Sequence, residues 1–73
     1  MSEYIAKRAA ECEALMTSET DAVRKVSFRL LRDMWLALAD VGATLSAEEL
    51  EREIAAIDQI HTNYLRATRT NKM

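Results

Sequence analysis

Apolar residues recur along this chain at spacings of three and four, the repeat of one face of an α-helix. Three such segments can be placed. The first predicts a helix over about 2–16, with Ile5, Ala9, Cys12 and Met16 on one stripe and Tyr4 and Leu15 at its edge. The second predicts a helix over about 20–41. Val23, Val26, Leu30, Leu31, Met34, Leu38 and Val41 mark the centre of its apolar face, and Phe28 and Trp35 widen that face. The third predicts a helix over about 47–68, with Leu50, Ile54, Ile57, His61 and Tyr64 in line. Residues 69–73 are expected to fray.

The punctuation between segments agrees. Thr17, Ser18 and Thr20 in "TSET" offer side-chain oxygens to cap the second helix. Gly42 is the residue type that closes a helix in the left-handed conformation without steric cost. Ser46 stands three residues before Glu49, the spacing of a capping box that opens the third helix. At 1.5 Å per residue the helices run about 22, 33 and 34 Å. The two long ones, joined by the short "GATLS" link, should form an antiparallel hairpin. The first then covers about two-thirds of it.

Helix 2 is the unusual element. Its apolar band spans roughly 200°, where a surface helix needs little more than 100°, so one partner helix cannot cover it. The expected fold is therefore all-α: three helices in an antiparallel arrangement, short helix 1 and long helices 2 and 3, with helix 2 central.

Composition sharpens this picture. There is no proline and a single glycine, while helix-forming residue types dominate. At 73 residues the chain is a single helical domain, and one of this size buries only about 60% of its unfolded surface. Cys12 has no partner cysteine in the chain, and one cysteine with one histidine falls short of a zinc cage. Self-association is the remaining support, so a homodimer is expected, its two-fold interface formed by uncovered parts of helices 2 and 3. The longest uncharged apolar run, "MWLALA", is far short of the roughly 20 residues that span a bilayer. With an acidic residue at position 3 and no signal-like opening, a cytoplasmic protein is expected. A net charge of −2 gives no overall pull towards nucleic acid or anionic membrane.

The candidate chemistry is thin. His61, the only histidine, falls inside helix 3's apolar stripe, with Asp58 and Tyr64 one turn away as hydrogen-bond partners. It reads as a partly buried, hydrogen-bonded core residue. The alternatives are a pH-responsive interface residue, a general base, a metal ligand or a phosphoacceptor. As a base it needs a nucleophile, and Cys12 is the only candidate. Cys12 itself reads as a small buried hydrophobe, its thiol disfavoured from ionising by Glu11 and Glu13. Arg24, Lys25, Arg29 and Arg32 form a basic stripe on helix 2. Such a stripe could track phosphates, but without interleaved aromatics it reads as a solvated face, with Asp21 supporting Lys25 one turn away. Helix 3 begins with Glu48, Glu49, Glu51 and Glu53, and the chain ends with Arg66, Arg69 and Lys72, a polarity that complements the helix dipole. No phosphate-cradling loop, metal-protease motif, nucleophile elbow or paired-cysteine motif is present. The reading is thus a non-enzyme, with no cofactor and no metal.

The segment from Arg8 to Asp40 resembles a group of short helical proteins of rhizobia and related alpha-proteobacteria, which have no assigned function. The resemblance rests on Arg8, Ala9, Glu11 and Cys12, then Leu15 and Asp21, then Trp35, Leu38 and Ala39. The chain departs from that pattern where Ala22 stands in place of a proline and where a tyrosine is displaced to Tyr4. The resemblance implies a helical hairpin in a bacterial cytoplasm and carries no activity. The functional expectation is a small cytoplasmic helical protein-interaction or adaptor module. The alternative is a small nucleic-acid-binding regulator that uses the basic stripe. The candidate interface comprises Phe28, Leu31, Trp35, Leu38, Ile57, His61 and Tyr64, and its partner would be a second copy or another protein.

Overall fold

A computed structural model describes residues 3–70, with side chains described from 3 to 66. Helix α1 spans Glu3–Ser18, α2 spans Ala22–Val41, a 3₁₀ turn covers Gly42–Thr44 and α3 spans Ala47–Thr70. The fold is all-α, with a short first helix and two longer ones packed together. Residues 69 and 70 belong to α3 and are not a frayed tail; positions 71–73 lie outside the described residues.

The helix ends show which local signals decide. Asp21, not a residue of "TSET", caps α2: its carboxylate accepts the Arg24 backbone N–H at 3.0 Å. A carboxylate offers a charged acceptor to the partial positive charge of a helix start, an advantage over the neighbouring hydroxyls. With its side chain so placed, Asp21 is a cap rather than a partner for Lys25. The capping box forms as expected. Ser46 N–H donates to Glu49 Oε1 at 2.9 Å, and Glu49 N–H donates to Ser46 Oγ at 3.1 Å. These bonds hold the Glu49 carboxyl below its usual pKa, the backbone amide of Ser46 contributing most.

Gly42 corrects the expectation of a left-handed stop. It has φ −56° and ψ −34°, ordinary right-handed geometry, and its N–H donates to the Leu38 carbonyl. The chain leaves the helix by tightening into a 3₁₀ turn and turns out only at the extended Leu45.

The core places the second correction. Ile5, Ala9 and Cys12 of α1, Leu31, Trp35 and Leu38 of α2 and Ile57 of α3 form it, and Phe28 and His61 are buried as well. On α2 the buried face runs 28, 31, 35, 38, so Trp35 sits at its heart rather than its edge, with buried Phe28 at its N-terminal end. Val23, Val26, Leu30, Met34 and Val41, expected at the centre, are exposed. The large aromatic rings gain most from leaving water, and they draw α1 and α3 to their side of α2. α2 is the central element, as expected: α1 packs closest on it, and α3 reaches the pair mainly through long side chains. Small residues on α1, Ala9 and Cys12, allow that close approach.

Trp35 is fully buried, so Trp35→Ala should cost about 3 to 5 kcal/mol in urea denaturation or unfold the chain outright. A loss below about 1 kcal/mol would put the indole at the surface. A Cβ added at Gly42 meets only Leu50 Cδ1, at an ordinary 3.6 Å. Gly42→Ala should therefore leave stability unchanged or raise it by about 0.4–1 kcal/mol. Destabilisation by more than about 1 kcal/mol is what a left-handed glycine would give.

Candidate functional site

All three helices meet at one buried polar group. α2 carries Trp35 inward, and its indole N–H donates to Nδ1 of His61 on α3 at 3.2 Å. Cys12 of α1 brings Sγ to 3.8 Å from the same nitrogen. The indole can only donate, so Nδ1 must be the unprotonated nitrogen, and the neutral imidazole carries its proton on Nε2. Asp58, expected as a partner of His61, is engaged by Tyr4 and Arg8 instead.

Electrostatics keep this cluster uncharged. Burial, and then the positive charge of Arg8, lowers the His61 pKa below its ordinary value of 6.5. Burial pushes the Cys12 thiol up to about 11, with Glu11 a lesser contributor in the same direction. A working Cys–His pair needs a thiolate, a histidine free to take the proton and access for substrate. Here the thiol is protonated, the Nδ1 lone pair is occupied by Trp35, and both residues are buried. The structure thus unites the nucleophile and base that the sequence left apart, in a state suited to packing.

Asp58 is used on the rim. Tyr4 donates its hydroxyl to Asp58 Oδ2 at 2.6 Å, and Arg8 donates to Asp58 Oδ1 through Nε at 3.0 Å and Nη2 at 2.9 Å. The remaining arm of Arg8 donates to Glu11 at 2.8 Å. The guanidinium stacks over the Tyr4 ring, and that ring meets Trp35 edge-on with centroids 6.1 Å apart. Hydrogen bonding to Asp58 raises the Tyr4 pKa. For Arg8, burial opposes the charge, but the bonds to Glu11 and Asp58 outweigh it and hold the guanidinium more firmly protonated. This network ties α1 to α3 where their backbones lie apart. Its signal in the sequence was the i, i+4 spacing of Tyr4 and Arg8 opposite a lone acid in an apolar stripe.

The candidate interface is largely spent inside the chain. Phe28, Leu31, Trp35, Leu38, Ile57 and His61 are buried in its own core, and Tyr64 is half-buried, so the first six cannot meet a partner. The basic stripe is divided. Arg32 pairs with Asp33 at 3.0 Å and approaches Glu13 of α1 at 3.7 Å, and Arg24 lies 3.9 Å from Glu19. Lys25 and Arg29 face solvent with no ion pair among the described residues. Also among the described residues, no three metal-ligating side chains converge and no helix is long and apolar enough to cross a membrane. Side chains of Arg69 and Lys72 lie outside the described set.

No protein-family model matches the chain, and no curated protein or solved structure is similar enough to lend it a function. The functional reading therefore rests on the molecule's own surface and core.

His61 predicts a pH dependence of stability. Unfolded, the imidazole binds a proton near pH 6.5; folded, it binds one only at lower pH. Between those values the unfolded chain holds more protons, so the stabilisation is complete above the unfolded value and is lost as pH falls through the window. Urea midpoints measured from pH 8 to 5 should decline on the acid side, and His61→Gln should flatten that decline. Trp35→Phe, which leaves Nδ1 without its donor, should cost about 1–3 kcal/mol even at pH 8. An unchanged slope in His61→Gln would assign the acid loss to other groups.

Proposed function

We infer that this chain is a small helical interaction module that works by offering a face of α2 to another protein surface. The observation that carries the reading is the second apolar stripe of α2. Val23 is 76% exposed, Leu30 52% and Val41 48%, with Val26 and Met34 between them. These residues follow helical spacing, so they form one continuous stripe rather than scattered apolar points, and continuous exposed apolar surface marks interaction sites. Beside it, Met34, Ala37 and Val41 face Ala56 and Ile60 of α3 across a shallow groove. The core chemistry supports the same reading, because the Cys12–His61 pair is neutral and closed off. A cytoplasmic setting accords with a free buried thiol. Regulation through nucleic acid has less to work with, since Lys25 and Arg29 alone would supply phosphate contacts from the solvent face.

A photo-crosslinking residue placed at position 30 in the living cell tests this. It should give a discrete adduct with a protein, while the same residue at exposed Ala14 on α1 gives none. Loss of the position-30 adduct in a folded Val26→Lys variant would tie it to the stripe. Absence of any adduct at position 30, or salt-sensitive duplex DNA binding abolished by Arg29→Glu, would overturn the reading.

A further inference from the structure

The open stripe carries information about what covers it. Val23, Val26, Leu30, Met34, Ala37 and Val41 run the length of α2 without a charged residue among them, and their order is close to palindromic. A valine stands at each end and the two long side chains, Leu30 and Met34, stand at the middle. Charges along one flank are segregated: Arg29 stands in its N-terminal half and Asp33 and Asp40 in its C-terminal half, with Lys25 further round the helix, all four exposed.

We propose that a second copy of this chain covers the stripe, the two α2 helices running antiparallel about a two-fold axis that passes between Leu30 and Met34. The proposal rests on the reading of this face as an interface and names its occupant. A two-fold axis across antiparallel helices sets each flank against the same flank of the other copy, in reverse order. Leu30 then faces the partner's Met34, and Val23 faces the partner's Val41. Arg29 comes within a turn of the partner's Asp33, and the positive N-terminal half of α2, Lys25 included, lies along the acidic half of the partner's helix that carries Asp40. Asp33 uses one carboxylate oxygen for Arg32, which leaves Oδ2 to accept from across the interface. A parallel pair would instead set this charged flank against the opposite flank of the partner's stripe, where α3 lies beside Met34, Ala37 and Val41, and these charges would not meet one another. The segregation of sign is therefore self-complementary in the antiparallel sense alone. The groove beside Met34 and Val41 continues the surface onto α3 through Ala56 and Ile60, so both helices enter the interface.

Sedimentation equilibrium on the full chain should give twice the chain mass. Lys25→Glu with Arg29→Glu makes the flank wholly acidic, and Asp33→Lys with Asp40→Lys makes it wholly basic. Each double variant alone should halve in mass with helicity retained, and an equimolar mixture should recover the dimer. Direction is read by cysteine crosslinking, since Val23 and Val41 stand about 27 Å apart along α2. Val23→Cys and Val41→Cys chains should crosslink when mixed, and neither should crosslink alone. Cys12, buried and with its thiol held protonated, stays out of the reaction. Crosslinking of Val23→Cys to itself would overturn the antiparallel pairing. A wild-type chain that sediments as a monomer at about 1 mM, where even weak association shows, would overturn the dimer. In that event an adduct from position 30 to a different protein would leave the interaction reading standing without the homodimer, and no adduct would remove both.

Discussion

The hydrogen bond from the Trp35 indole to His61 Nδ1 sets the terms for everything around it. Both groups lie in the driest part of the molecule, and a buried donor or acceptor left without a partner costs about 1–3 kcal/mol. For a chain this short that is a large share of total stability. The bond thus ties the register of α2 to that of α3 as well as their contact. It also fixes the tautomer of the imidazole and, through the ring, the space left for α1. A small side chain must stand over the imidazole on that helix, and Cys12 does.

Two kinds of packing follow from that centre. α1 lies close on α2 because its inward residues, Ala9 and Cys12, are small, and close packing there needs little polar help. α3 stands further off because Trp35 and His61 fill the gap between backbones, and long side chains alone specify position loosely. The Arg8–Asp58–Tyr4 network supplies what is missing. Arg8 grips one oxygen of Asp58 with two N–H groups, and Tyr4 donates to the other oxygen. Charge-assisted bonds of this kind are stronger than neutral ones. The same residues roof the buried bond, since the Tyr4 ring lies edge-on to Trp35 beneath the Arg8 guanidinium. Polar side chains of α1, α2 and α3 thus help to hold the third helix in place.

Local signals were legible in the sequence where they acted alone. Ser46 and Glu49 form their reciprocal bonds because nothing tertiary competes, and the stripes of α1 and α3 are narrow enough to face one way only. Helix α2 was not legible in this sense. Its apolar band is wide, so periodicity places the mean of the band at its centre, while the folded chain buries one side of it. The deciding signal was residue size: Phe28, Leu31, Trp35 and Leu38 repeat at three and four and include both aromatic residues of the helix. Size also explains why α1 lies closer on α2 than α3 does, a difference that helix lengths do not report. The partners of His61 were out of reach for a different reason. Asp58 and Tyr64 were its neighbours along the helix, whereas Trp35 and Cys12 come from helices whose relative rotation no single-helix pattern reports.

The width of the α2 band is what the fold by itself leaves unexplained. Had the chain needed only its internal core, the 28/31/35/38 face would have sufficed, and a polar residue at the most exposed position, 23, would have cost the monomer little. Helical structure does not ask for valine at 23, 26 and 41 either, since β-branched residues lose side-chain freedom in a helix. The other faces of α2 carry Lys25, Arg29, Asp33 and Asp40, so polar residues were not scarce on this element. A small domain gains stability from association. α2 is well placed for it, since it packs closely on α1 and is tied to α3 through the indole of Trp35. The bond that fills the core thus also fixes the rotation of α2, and with it the direction in which the second stripe faces.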